Sequence, residues 1–85
     1  MSLPKQKTFS FTEKQGQYLA YICHYTKLNG TPPAHTDFQK FFNVTPPSVN
    51  QMINTLEKKG LIQKQPRTAR SISLLIPTEE LPDLR

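Results

Sequence analysis

Residues 45 to 62, TPPSVNQMINTLEKKGLI, constrain the fold more than any other stretch, because they specify a helix at both ends and start an extended segment at once. Thr45 suits the N-cap, where its hydroxyl takes a free backbone N–H, and Pro46 suits the first helical position, where a missing donor costs nothing. Val49, Met52, Ile53 and Leu56 recur at intervals that put them on one side of a 3.6-residue turn, so that side is buried. Pro47, Ser48, Asn50, Gln51 and Asn54 are left facing outward. Lys58 and Lys59 complement the helix dipole in the last turn, and Gly60 supplies a left-handed stop.

The chemistry of that outward face bears on function. Ser, Asn and Gln carry both donors and acceptors, and an Asn or Gln amide can pair bidentately with the adenine edge in a DNA major groove. An ordinary solvated face carries more Glu and Lys, although neutral polar residues also occur on surfaces with no binding role. The charge of the surroundings favours the first reading. Of the net +5, residues 1 to 78 carry +7 and residues 79 to 85 carry −2. A basic body suits a polyanion, since each phosphate neutralised by Lys or Arg releases condensed counterions.

At 85 residues the chain is bounded to one domain with a modest core, too small to enclose a large active-site cavity. Its single cysteine excludes an intramolecular disulfide. With no long apolar run, leader or lipidation signal, the expectation is a soluble, cytoplasmic protein without a membrane partner.

Residues 1–10 lack periodicity and read as a flexible N-terminal arm. Thr12 and Gln15 form a capping box, and Tyr18, Leu19, Ile22, Cys23 and Thr26 mark one face of a first helix that runs to about Asn29 and closes at Gly30. Cys23 is expected in the core, and Tyr18, Tyr21 and Tyr25 form a stripe expected to pack inward or at a subunit contact. Pro32 and Pro33 force an extended passage before a second helix near residues 35–42, with Phe38, Phe41 and Phe42 as its buried side. Asn43 is a plausible left-handed terminator, and the short link to the third helix sets the two at a steep angle, a helix-turn-helix. Leu61 to Gln63 and Ser71 to Ile76 then read as two strands joined by a basic tip, Lys64 to Arg70. The fold expected is mainly α with a small β-hairpin, a three-helix winged helix-turn-helix over residues 11–76, followed by an irregular or partly disordered tail over 77–85.

Over residues 11 to 76 the chain resembles the DNA-binding domain of LexA-type repressors. Phe11, Thr12, Glu13, Lys14 and Gln15 match the family's opening, and Gly30, Thr31, Pro32 and Pro33 match its segment before helix two. Leu56 to Ile62 match the helix-to-wing junction, a weaker sign shared with other winged-helix repressors, while Pro66, Ala69, Arg70, Ser71 and Ile72 resemble its wing. The resemblance implies base contacts from Pro47, Ser48, Asn50, Gln51 and Asn54. LexA proteins continue into a self-cleaving peptidase domain that has no counterpart in these residues, so no autocleavage is expected. Ala34 stands where the family carries a capping Thr or Ser, and the helix start is expected to move to Thr36 with Gln39 completing a box. Pro47 replaces a polar residue found at a contact position in some members, so the operator does not carry over with the resemblance.

Other chemistries find little support. Cys23 and His24 point about 100° apart on a helix and cannot act as one pair, and no CxxC or HExxH occurs, so neither catalysis nor a metal or other cofactor is expected. The reading reached is a transcriptional regulator, a repressor by the resemblance. It binds double-stranded DNA through helix three, with Thr45, Lys58, Lys59, Lys64, Arg67, Thr68 and Arg70 on the backbone. One module of this size buries limited DNA surface, so a homodimer on a symmetric site or a second bound partner is expected. The alternative is a winged helix serving as a protein-interaction module. RNA binding is weaker still, since the strands offer no stacking aromatics.

Overall fold

The computed structural model describes residues 10–85. The arm expected over residues 1–10 lies, but for Ser10, outside them. Three helices come first: α1 (Glu13–Asn29), α2 (His35–Phe42) and α3 (Pro46–Lys58). A two-stranded antiparallel sheet follows, β1 (Ile62–Gln63) and β2 (Ser73–Leu74), and then a 3-10 turn at Thr78–Glu80.

Each helix boundary traces to a local device. At α1 the Thr12 hydroxyl accepts from the Gln15 N–H at 3.1 Å while the Gln15 side chain accepts from the Thr12 N–H at 2.9 Å. Gly30, at φ 78°, turns the chain out and donates its N–H to Thr26. Asn43, at φ 55° and ψ 55°, does the same for α2, in the left-handed region that asparagine tolerates better than most residues. The start of α2 corrects the sequence reading. Ala34 remains the N-cap and the helix begins at His35, because the Asp37 carboxylate, one turn inside, accepts the Ala34 N–H at 2.8 Å. That is the half of a capping box that an alanine leaves available.

The core joins all of these elements. Tyr18, Leu19 and Ile22 of α1, Phe38 of α2, and Val49, Ile53 and Leu56 of α3 meet Leu61, Ile62, Ile72 and Ile76 from the hairpin. Met52 is only half-buried at the edge. Two expected core residues fall outside. Cys23 is half-buried, and Phe41 is 46% exposed. Phe38 and Phe42, four residues apart, share the inward stripe and stack on Tyr18 at centroid distances of 5.4 and 4.3 Å. Phe41 is thereby pushed to the margin, where it lies on the Tyr21 ring at 4.3 Å.

The strands are shorter than the apolar pattern suggested. Pairing covers Ile62 with Leu74 and Gln63 with Ser73, and one further bond joins the Leu75 N–H to the Leu61 carbonyl. Beyond Gln63 the ladder gives way to a side chain, as the Gln65 N–H donates to the Ser71 hydroxyl at 3.0 Å. The C-terminal segment is irregular apart from its 3-10 turn, yet it is docked. Leu81 and Leu84 pack on the core, and Gln17 of α1 bonds both the Asp83 carbonyl and the Arg85 N–H at 2.9 Å. Gly16 lets the tail approach closely, since a Cβ there would lie 2.9 Å from the Phe11 ring and 3.0 Å from Pro82. Among the described residues no helix is long and apolar enough to cross a membrane.

Phe38→Ala should cost about 3–5 kcal/mol and leave little folded protein, whereas Phe41→Ala should cost about 1 kcal/mol or less in urea unfolding. Burial raises the Tyr18 phenol, and burial with the Asp37 charge raises Tyr21. Folding therefore favours their neutral forms. Their contribution is intact below the unfolded value near pH 10 and is lost as pH rises through the folded values. Tyr18→Phe should leave neutral-pH stability nearly unchanged and shift the alkaline unfolding midpoint upward in a circular-dichroism titration.

Candidate nucleic-acid interface

The start of α3 is held by Thr45, whose hydroxyl lies 3.4 Å from the Ser48 N–H, with prolines in the first two helical positions. With Val49, Ile53 and Leu56 fully buried, helical geometry turns Pro47, Ser48, Asn50, Gln51 and Asn54 to solvent, and all five are exposed. Among the described residues, none of the Ser48, Asn50, Gln51 or Asn54 side chains takes part in an intramolecular hydrogen bond. The Thr55 hydroxyl instead bonds back to the Gln51 carbonyl at 2.9 Å. The face therefore presents unspent donors and acceptors on a rigid element.

The hairpin tip is a compact turn. Pro66 and Arg67 sit between Gln65 and Thr68, whose N–H reaches the Gln65 carbonyl at 3.3 Å. The Ser71 oxygen, 2.8 Å from the Thr68 carbonyl and 3.2 Å from that of Gln65, stitches both sides of the tip together. Arg67 and Arg70 adopt φ of 58° and 55°, positions that glycine or asparagine normally takes. A cleft of about 340 Å³ separates the tip from the start of α2, with Lys64, Arg67, Arg70 and His35 among its walls.

The cations expected to support binding fall into two groups. Lys58 and Arg67 are exposed and Lys64 is partly exposed, and none is ion-paired or hydrogen-bonded among the described residues. Thr68 is exposed, with its hydroxyl 3.3 Å from the Pro66 carbonyl. Lys59 donates its ammonium to the Gln15 amide oxygen at 2.9 Å, which ties the end of α3 to the start of α1. Arg70 is more heavily engaged. Its Nη1 lies 3.0 Å from the Asp37 carboxylate, 3.0 Å from the Tyr25 hydroxyl and 3.4 Å from the Pro32 carbonyl, and its guanidinium sits 5.9 Å from the Tyr25 ring centre.

Asp37 and Tyr25 escaped the sequence reading as parts of this region. The one available signal was an acidic residue at the third helical position behind an alanine N-cap, a pattern that marks a carboxylate with a structural partner. Partial burial pushes the Asp37 carboxyl up, but the Ala34 N–H, the Arg70 charge and hydrogen bonds from Tyr25 and Arg70 outweigh it. The group is held below the usual carboxylate range, ionised at neutral pH.

Three helices whose third presents an unpartnered polar face, followed at once by a basic hairpin, define a winged helix-turn-helix. The chain belongs to the family described as "Iron dependent repressor, N-terminal DNA binding domain", whose model matches residues 10–69. It is also similar to LexA repressors. That of Thermosipho melanesiensis is 40% identical over 70 residues, which cover 82% of this chain and 35% of the relative. That of Thermosipho africanus is 39% identical over 64 residues, covering 75% and 32%. That of Pseudothermotoga lettingae is 34% identical over 70 residues, covering 82% and 34%. The chain thus spans about a third of the length of these relatives. Iron enters the family description, yet among the described residues no three of His, Cys, Asp and Glu gather as a ligand set. These residues do not fit an iron site.

A left-handed conformation at a non-glycine residue costs about 1 kcal/mol, so Arg67→Gly should raise stability by roughly that amount in urea unfolding. The same variant should bind duplex DNA less tightly in a fluorescence-anisotropy titration.

Proposed function

We propose that this domain is the DNA-reading part of a transcriptional repressor, binding double-stranded DNA sequence-specifically. In this reading α3 enters the major groove and Ser48, Asn50, Gln51 and Asn54 reach base edges, with Pro47 in apolar contact beside them. Thr45, Lys58, Lys59, Lys64, Arg67, Thr68 and Arg70 face the phosphates. The observation that carries the reading is the exposed, unspent amide and hydroxyl face of α3, on a chain whose family is described as a DNA-binding domain. The LexA relatives lend the repressor role. Specificity at useful salt concentrations calls for two copies on a symmetric site, since one module buries limited duplex surface. The work done here is binding, without a catalytic step.

A protein-docking role is the second reading, and exposed Phe41 is the observation that favours it. The two readings separate in one experiment. Sequences selected from random duplexes should converge on a motif, with log affinity falling linearly in log salt. Asn50→Ala and Gln51→Ala should each cost about 1–3 kcal/mol on the selected site and relax preference at one position. Binding that is equal for every duplex, or absent, would overturn the sequence-specific reading.

A further inference from the structure

We propose that Arg70 and Asp37 form a lock that fixes the wing against the start of α2, so that Arg70 is a positioning residue while Lys64 and Arg67 carry the wing's charge to DNA. The inference rests on the DNA-binding reading and changes the role of one residue within it. Arg70 and Asp37 stand 33 residues apart in the chain, and their 3.0 Å contact closes the hairpin tip onto another element. The acceptors converge on one nitrogen. Nη1 has two hydrogens, and the two contacts at 3.0 Å, to Asp37 and to the Tyr25 hydroxyl, take them, leaving the Pro32 carbonyl at 3.4 Å as a weaker third.

The acceptor side is equally fixed. The Asp37 oxygen that meets Arg70 also accepts the Ala34 N–H at 2.8 Å, so the carboxylate is pinned to the backbone at the α2 start. The Tyr21 hydroxyl, 3.3 Å from the Asp37 carbonyl, holds the same turn from α1. Arg70 makes these contacts from a left-handed backbone at the surface, its side chain 42% exposed, whereas Arg67, equally left-handed, has no partner among the described residues. A guanidinium already neutralised by a carboxylate displaces few counterions when DNA arrives, because counterion release scales with net phosphate neutralisation.

Salt dependence separates positioning from contact. On a selected duplex, Arg67→Ala should lower the magnitude of the log-affinity against log-salt slope by about 1. Arg70→Ala should weaken binding roughly fivefold, the cost of ordering a freed wing, with the slope unchanged. Asp37→Asn should release Arg70 to solvent and raise the slope magnitude. Amide hydrogen exchange at residues 64–71 should quicken in Arg70→Ala and in Asp37→Asn, and the double variant should exchange no faster than either. A slope that falls by about 1 in Arg70→Ala, with wing exchange unaltered, would overturn the lock and return Arg70 to the phosphates. Absence of duplex binding by the unmodified protein would instead overturn the DNA-binding reading, and the exchange measurements would still decide whether the lock exists.

Discussion

Everything downstream depends on the turn at Asn43. Only Asn43, Val44 and Thr45 separate Phe42, the last residue of α2, from Pro46, the first of α3. The left-handed backbone of Asn43, with the Val44 N–H returned to the Gln39 carbonyl at 3.1 Å, ends α2 sharply. Thr45 and Pro46 forbid a continuous helix and start a new one. Because α3 then packs Val49, Ile53 and Leu56 into the core that holds Phe38, its opposite face is committed to solvent by the 3.6-residue repeat alone. The amide and hydroxyl face is the geometric complement of that burial, so core packing and the candidate recognition surface have a single cause.

The second constraint is aromatic. Tyr18 lies against both Phe38 and Phe42, and Tyr21 meets Phe38, Phe41 and Phe42 at centroid distances of 4.3 to 5.5 Å, so α1 and α2 join through one cluster of rings. The phenol hydroxyls extend the cluster beyond packing. Tyr21 reaches the Asp37 backbone and Tyr25 reaches Arg70, so the apolar joint between two helices continues into the polar joint that seats the wing. A domain of this size has little stability to spare, and doubling the use of a ring in this way links the core to the hairpin without further residues.

How much of this was legible in the sequence follows the range of the interactions. Thr12 with Gln15, Gly30, Asn43, Thr45 with Pro46, and Gly60 act within four residues of themselves, and the helices begin and end where these residues imply. Helix α2 lies over 35–42 as the spacing implies, but its cap does not shift to Thr36 and Gln39, because Asp37 caps from inside the helix. Phe41 was misplaced because helical spacing alone cannot rank three phenylalanines in one turn and a half. Stacking on Tyr18, twenty and twenty-four positions away, makes the choice. The strands came out short since the Ser71 hydroxyl replaces a ladder bond that backbone patterning would have continued. The tail carries no periodicity, and its docking depends on Gly16 leaving room for Pro82 across 66 residues of chain.

The charge balance reads differently once the contacts are known. A net charge of +5 invites the view that every lysine and arginine faces a polyanion. Arg70 is spent on Asp37 and Arg85 on Glu13, while Lys59 is tied to the neutral Gln15 amide and keeps its charge, each contact joining segments far apart in sequence. The Arg85 pair is exposed on both sides and contributes little stability by itself, so the docked tail rests more on Gln17, Leu81 and Leu84. Lys58, Lys64 and Arg67 keep their charge unpaired among the described residues, at the end of α3 and along the hairpin. Cation count is therefore a poor guide to the charge that can be offered to a duplex. Position matters more than number: Lys58 closes α3, and Lys64 and Arg67 lie along the hairpin that follows it, so these three unpaired charges flank the polar face of α3.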